Sequence, residues 1–120
     1  MSLSDVKQNL ISIISSIDDV TCTFDYATAV ESQKAVVIDS LDISYEHDLD
    51  MGYHKTLRVV AVLVTKTDSD LDELIDELEN LDDATEGCIR DIMLESVNVS
   101  SNDENVRVAT VNLSCLLWDI

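Results

Sequence analysis

The chain has 120 residues, 46% of them hydrophobic, and its 25 acidic against seven basic side chains give a formal net charge of −18. That length fits a single domain, residues 1–120, able to hide roughly two-thirds of its unfolded surface without disulfide staples. A field of this sign repels phosphate, which argues against nucleic-acid binding through a basic patch and against docking on anionic membranes.

In chain order, Ser4 is placed to cap a first helix, with Asp5 near its positive end. Val6, Leu10, Ile13, Ile14 and Ile17 recur at helical spacing, and Asp18-Asp19 ends the pattern. Val20 to Phe24 reads as a short strand and Ala27 to Gln33 as a loop. Lys34 to Leu41 holds the run Ala35-Val36-Val37-Ile38, the pattern of a strand covered on both faces. Ser44 to His54 is polar and turn-like, with Gly52 near its end. Thr56 to Lys66 predicts a long strand, apolar on both faces from Val59 to Val64 and therefore central in its sheet.

Thr67, Asp68 or Ser69 caps a second helix whose buried stripe is Leu71, Leu74, Ile75, Leu78 and Leu81. Thr85 can cap a third, shorter helix with Ile89, Ile92 and Met93 inward. Ser96 to Ser100 alternates as a short strand, and Ser101 to Asn105 is a polar turn. A last strand from Val106 to about Trp118 puts Ala109, Val111, Leu113, Cys115 and Leu117 inward and Thr110, Asn112 and Ser114 outward. The order α-β-β-β-α-α-β-β predicts an α+β fold: a mixed, mostly antiparallel sheet of four to five strands with helices packed on one face.

Residues that could carry chemistry are sparse. Asp68-x-Asp70-x-Asp72 followed by Asp76 and Glu79 imitates a calcium loop, but Glu73 occupies the position that needs glycine for the sharp turn. The same residues give an unbroken amphipathic helix with an acidic solvated face. His47 and His54 lie among carboxylates at a spacing that matches no common metal site. Cys22, Cys88 and Cys115 are odd in number and far apart, so they read as small buried hydrophobes. No phosphate loop, dinucleotide fingerprint or nucleophile elbow is present. The expectation is therefore a protein that is not an enzyme and takes no cofactor and no metal. Without an apolar run of roughly 20 residues or a secretory start, it is expected to be made in a cytoplasm and to leave a cell only inside a particle. The acidity further suggests a halophilic source, because molar salt shortens the Debye length to about 3 Å and screens the self-repulsion.

The leading amphipathic helix, Ala35-Val36-Val37-Ile38, the polar loop entering Thr56–Lys66, Ser69-Asp70-Leu71-Asp72-Glu73-Leu74-Ile75-Asp76-Glu77-Leu78, Ile92-Met93-Leu94 and the strand Val106–Leu117 together cover nearly the whole chain. In that order they resemble the tail terminator (tail completion, head–tail joining) proteins of long-tailed phages and archaeal tailed viruses. The absence of proline departs from the expected pattern near the second strand. The resemblance implies a homohexameric ring at the head–tail junction of a virion, assembled in the host cytoplasm. That ring would cap the tail tube protein, meet the head-side connector or head-closure protein, and let DNA pass without specific binding. Candidate interface residues are Tyr45, Asp48, Leu49, Asp50, Met51 and Tyr53 around the polar loop, with Trp118 and Ile120 at the end of the chain. Trp118 equally suits the edge of the core. Alternatives are another neck component (head-closure or adaptor), a halophilic ferredoxin-like ligand-sensing domain, and an acidic mimic of DNA.

Overall fold

The computed structural model describes residues 3–17, 19–25, 33–48, 52–81, 87, 89–99 and 106–117, with 46–48 and 52–54 described by their backbone. Helix α1 spans Leu3–Ser15. Strands β1 (Val20–Thr23), β2 (Lys34–Asp48) and β3 (Gly52–Thr65) follow. Helix α2 is Asp68–Glu79, and β4 (Ile89–Val99) and β5 (Arg107–Leu117) complete the order. The five strands form one sheet in the order β1-β2-β3-β5-β4. Only the β1–β2 pairing is parallel; β2–β3, β3–β5 and β4–β5 are antiparallel. This is the expected α+β fold with a mixed, mostly antiparallel sheet.

The helices pack on one face of the sheet because each carries one apolar stripe. Val6, Leu10, Ile13 and Ile14 of α1 and Leu71, Leu74 and Leu78 of α2 are buried in one core with Val36, Leu57, Val59, Leu63, Val111 and Leu113 of the strands. Strand β3 is central, as its two apolar faces require, and ends at Thr65. Ala35, Val37 and Val64 are buried on the other face, where Val62 and Val106 pack against them. Inward Ala109, Val111, Leu113, Cys115 and Leu117 are all buried, and the polar positions between them alternate as expected.

Thr67 caps α2: its hydroxyl accepts from the Asp70 N–H at 3.1 Å, satisfying one of the helix's free amides. Ser4 does not cap α1, since the helix already begins at Leu3. That helix also ends at Ser15, ahead of the expected Asp18-Asp19, and Asp19 turns the chain with φ 64°.

Two further expectations fail, each for an identifiable reason. Ser44 to His54 is not mainly a turn. Strand β2 runs on to Asp48 and β3 resumes at Gly52, with ladder pairs from Ser44–Thr56 to Asp48–Gly52. Cross-strand pairing supplies the backbone bonds of this polar stretch, and local turn propensity is overridden. The 15 residues of β2 at about 3.3 Å each account for the molecule's longest dimension of 51 Å.

Nor do Ile89 to Met93 form the expected third helix. Ile89, Ile92 and Met93 belong to β4, and the separate short strand at Ser96 is its continuation. Ile89 and Ile92 are both buried although three residues apart, while Met93 is exposed. The cause is a bulge between Arg90 and Met93, where Asp91 takes φ 54°. A second irregularity between Leu94 and Ser96 does the same, so Ile89, Leu94, Val97 and Val99 stand opposite the inward residues Leu117, Leu113, Val111 and Ala109. Steps of three and two imitate a helical period. Thr85 and Cys88 lie outside the described residues.

Candidate functional site

The resemblance pointed to the loop between the second and third strands, and that region is a hairpin arm. Among the described residues, β5 pairs with β3 as far as Lys55 opposite Leu117. Beyond it the ribbon continues through Glu46–His54, His47–Tyr53 and Asp48–Gly52 as two strands. On its other margin, among the described residues, β1 pairs with β2 over Lys34–Val37. Among the described residues, the arm thus has one strand fewer on each side than the body of the sheet.

Of the predicted interface residues, the register brings Tyr45, Asp48 and Tyr53 to this one end of the molecule. Tyr45 is 73% exposed, and the Lys55 ammonium sits over its ring at 5.6 Å from the centroid. That stacking holds a large amphipathic side chain on the surface in a fixed attitude. Leu49, Asp50, Met51, Trp118 and Ile120 lie outside the described residues.

Sequence reading missed a second constellation. Lys34 is only 5% exposed, unusual for lysine. It shares the inward side of β2 with Val36 and Ile38, so its stem runs under α2. Its Nζ lies 2.9 Å from Oε1 of Glu73 and 3.6 Å from Oε1 of Glu77. The hydrogen bond that Lys34 donates to Glu73 and the two nearby negative charges raise the Lys34 pKa against the opposing effect of burial. One turn toward the start of α2, the Gln33 amide donates to Asp70 at 3.1 Å, and the Arg107 Nε donates to Asp68 at 2.9 Å. These contacts fix the beginning of α2 over the first residues of β2 and β5. The available signal was a lysine in phase with the apolar positions of a strand, matched by glutamates at i and i+4 flanking Leu74 and Leu78.

The other chemical candidates are dispersed. Asp68, Asp70 and Asp72 are in α2, a continuous helix where a calcium loop would need a sharp turn. His47 stands opposite Tyr53 and His54 opposite Glu46, at positions of opposite pleat. No group of three or more potential metal ligands occurs among the described residues. Cys22 is partly buried, and desolvation pushes its thiol up to about 12. An open depression on the outer face is lined by Thr56, Asp91, Met93, Ser114 and Leu116. Another, between α1 and β2, is lined by Leu3, Lys7, Phe24 and the Ile38–Leu41 stretch. Neither brings together a nucleophile, a base and an orienting partner. No described helix is long and apolar enough to cross a membrane.

No protein-family model matches the chain. No curated protein matches it. Among solved structures it is similar to a chain of the virion of a native gene transfer agent particle, with 11% identity and a TM-score of 0.51. The likeness covers 72% of this chain and 70% of that one. At that identity it is a likeness of fold.

Proposed function

We propose that the protein is a structural component of a tailed, virus-like particle, and within it the tail terminator: a ring that caps the tail tube and joins it to the head-side connector. The observation that carries this reading is the fold shared with a chain of a gene transfer agent virion over most of both chains. The hairpin arm and the unequal margins of the sheet also support it. Ring assembly needs a heterologous contact, in which one patch meets a different patch on the next copy. A sheet with dissimilar margins and a projecting arm supplies two such patches.

The net charge of −18 suits the same role. A ring through which DNA slides gains from walls that offer phosphate no neutralising contact. The charge also keeps free subunits soluble. On this reading the protein catalyses nothing and binds no cofactor, and its partners are its own copies, the tube protein and the connector. Another neck ring shares every one of these features except tube binding.

Native mass measurement across salt concentrations, with and without purified tail tubes, is the deciding experiment. A six-fold ring, or a subunit that assembles only on tube ends, is the expected result. A ring that ignores tubes but binds the connector would identify a head-closure or adaptor protein. A chain that stays monomeric with tubes and connector at every salt would overturn the reading. The arm has its own test: Asp48→Lys with Asp50→Lys is expected to impair assembly while leaving the unfolding midpoint nearly unchanged. Equal loss of folding and assembly would remove the arm as a contact surface.

A further inference from the structure

The Lys34 cluster poses a problem of proton bookkeeping. Glu73 and Glu77 are one helical turn apart, and both approach the single Lys34 ammonium, at 2.9 Å and 3.6 Å. Oε2 of Glu77 is buried and has no hydrogen-bond partner among the described residues. An ionised oxygen there would bear the full cost of desolvation, whereas a neutral carboxyl bears far less. Lys34 supplies one positive charge at 7% side-chain exposure, and two carboxylates would leave the cluster with net charge −1.

We propose that Glu77 holds a proton beside the ion pair of Lys34 and Glu73, so that α2 is seated on the sheet by a neutral, proton-binding site. The two glutamates are not equivalent. Glu73 is nearer the ammonium, at 2.9 Å, and 56% exposed, so it keeps its charge. Glu77 is farther, at 3.6 Å, and 26% exposed, so it carries the proton. Burial is the main reason that the Glu77 carboxyl is raised above its ordinary value, and the hydrogen bond from Lys34 is the main reason that Glu73 is lowered. The other described charges near the site act weakly: Asp70 opposes ionisation of Glu73, and Asp68 is engaged by Arg107. Strand β1, beside Lys34, contributes Val20–Thr23 and no charge.

The site makes the hold on α2 dependent on pH with a definite sign. A carboxyl whose folded pKa exceeds its unfolded one binds its proton more tightly in the folded chain. Its contribution is complete below the ordinary carboxylate value and is lost as pH rises through the raised one. Glu73 contributes oppositely: its stabilisation is present above the ordinary value and fades as pH falls through the lowered one.

Carboxyl carbon NMR of the full chain across pH, at a constant multimolar salt, reads both groups directly. Glu77 is expected to titrate above the ordinary glutamate range and Glu73 below it. Urea unfolding should show stability falling as pH rises through the Glu77 titration, and Glu77→Gln should abolish that slope. Lys34→Met, which removes the cation, should push the Glu77 titration higher still. Glu77 titrating at or below the ordinary range, or parallel pH profiles for wild type and Glu77→Gln, would overturn the proposal. The wild-type titration decides it even where a variant fails to fold.

Discussion

Lys34 shows how one side chain can be read two ways. In the sequence it looks like a polar residue at the head of an apolar strand; in the fold its stem lies on the inward side and its ammonium is neutralised by α2. Lys34 is the buried member of this pair, so losing its carboxylate partners would strand the ammonium in a dry place. Cys22 is the counterexample, a side chain that burial makes inert. With its thiol pushed up to about 12, only about one molecule in ten thousand carries the thiolate at pH 8, and the thiolate is the reactive form. Peptide mapping after brief alkylation at pH 8 should find Cys22 unmodified in the folded chain and fully modified in urea. Rapid labelling of the native protein at Cys22 would contradict its burial.

At the scale of elements, the bulges decide which residues reach the core. In β2, Asp39 is the extra residue: Ile38 pairs with Ala61 and Ser40 with Val60. Val36, Ile38, Leu41 and Ile43 can then all lie on the helix side, although a strictly alternating strand would turn two of them away. In β4 the same device depends on Asp91 at φ 54°. Aspartate tolerates the left-handed region and a β-branched side chain does not. Asp91→Val should therefore cost about 1–2 kcal/mol, with Asp91→Gly close to neutral, as measured by urea unfolding at high salt. Equal stability of the two variants would show that the bulge does not hold Asp91 in that conformation. The bulges also roughen the exposed margins of the sheet, a common protection against indiscriminate strand pairing.

For the whole molecule, charge is the dominant variable. Twenty-five acidic residues on a chain of this size repel one another at low ionic strength. Few of them have basic partners, because the chain has only seven lysines and arginines. Unfolding midpoints are expected to rise steadily from low to multimolar salt as the repulsion is screened. A midpoint that is flat or falls with salt would remove the halophilic reading. The same screening should govern the proposed ring assembly, in which copies that each carry −18 would approach closely.

The sequence by itself determined what depends on local pattern: α1 and α2, the doubly covered run from Ala35 to Ile38, the central β3, the alternating β5, and hence the fold class. It also exposed the arm region as a candidate contact surface, through Tyr45, Asp48 and Tyr53. Only tertiary structure decided that Ser44 to His54 is mostly paired strand, because its backbone bonds are made to a partner segment and not to near neighbours. Only tertiary structure turned Ile89–Met93 from helix to strand, because bulges give a strand the three-residue spacing that otherwise marks a helix. The Lys34–Glu73–Glu77 cluster was hidden for the same reason: it joins residues 39 and more positions apart, and no local pattern records which charges a fold will bury together.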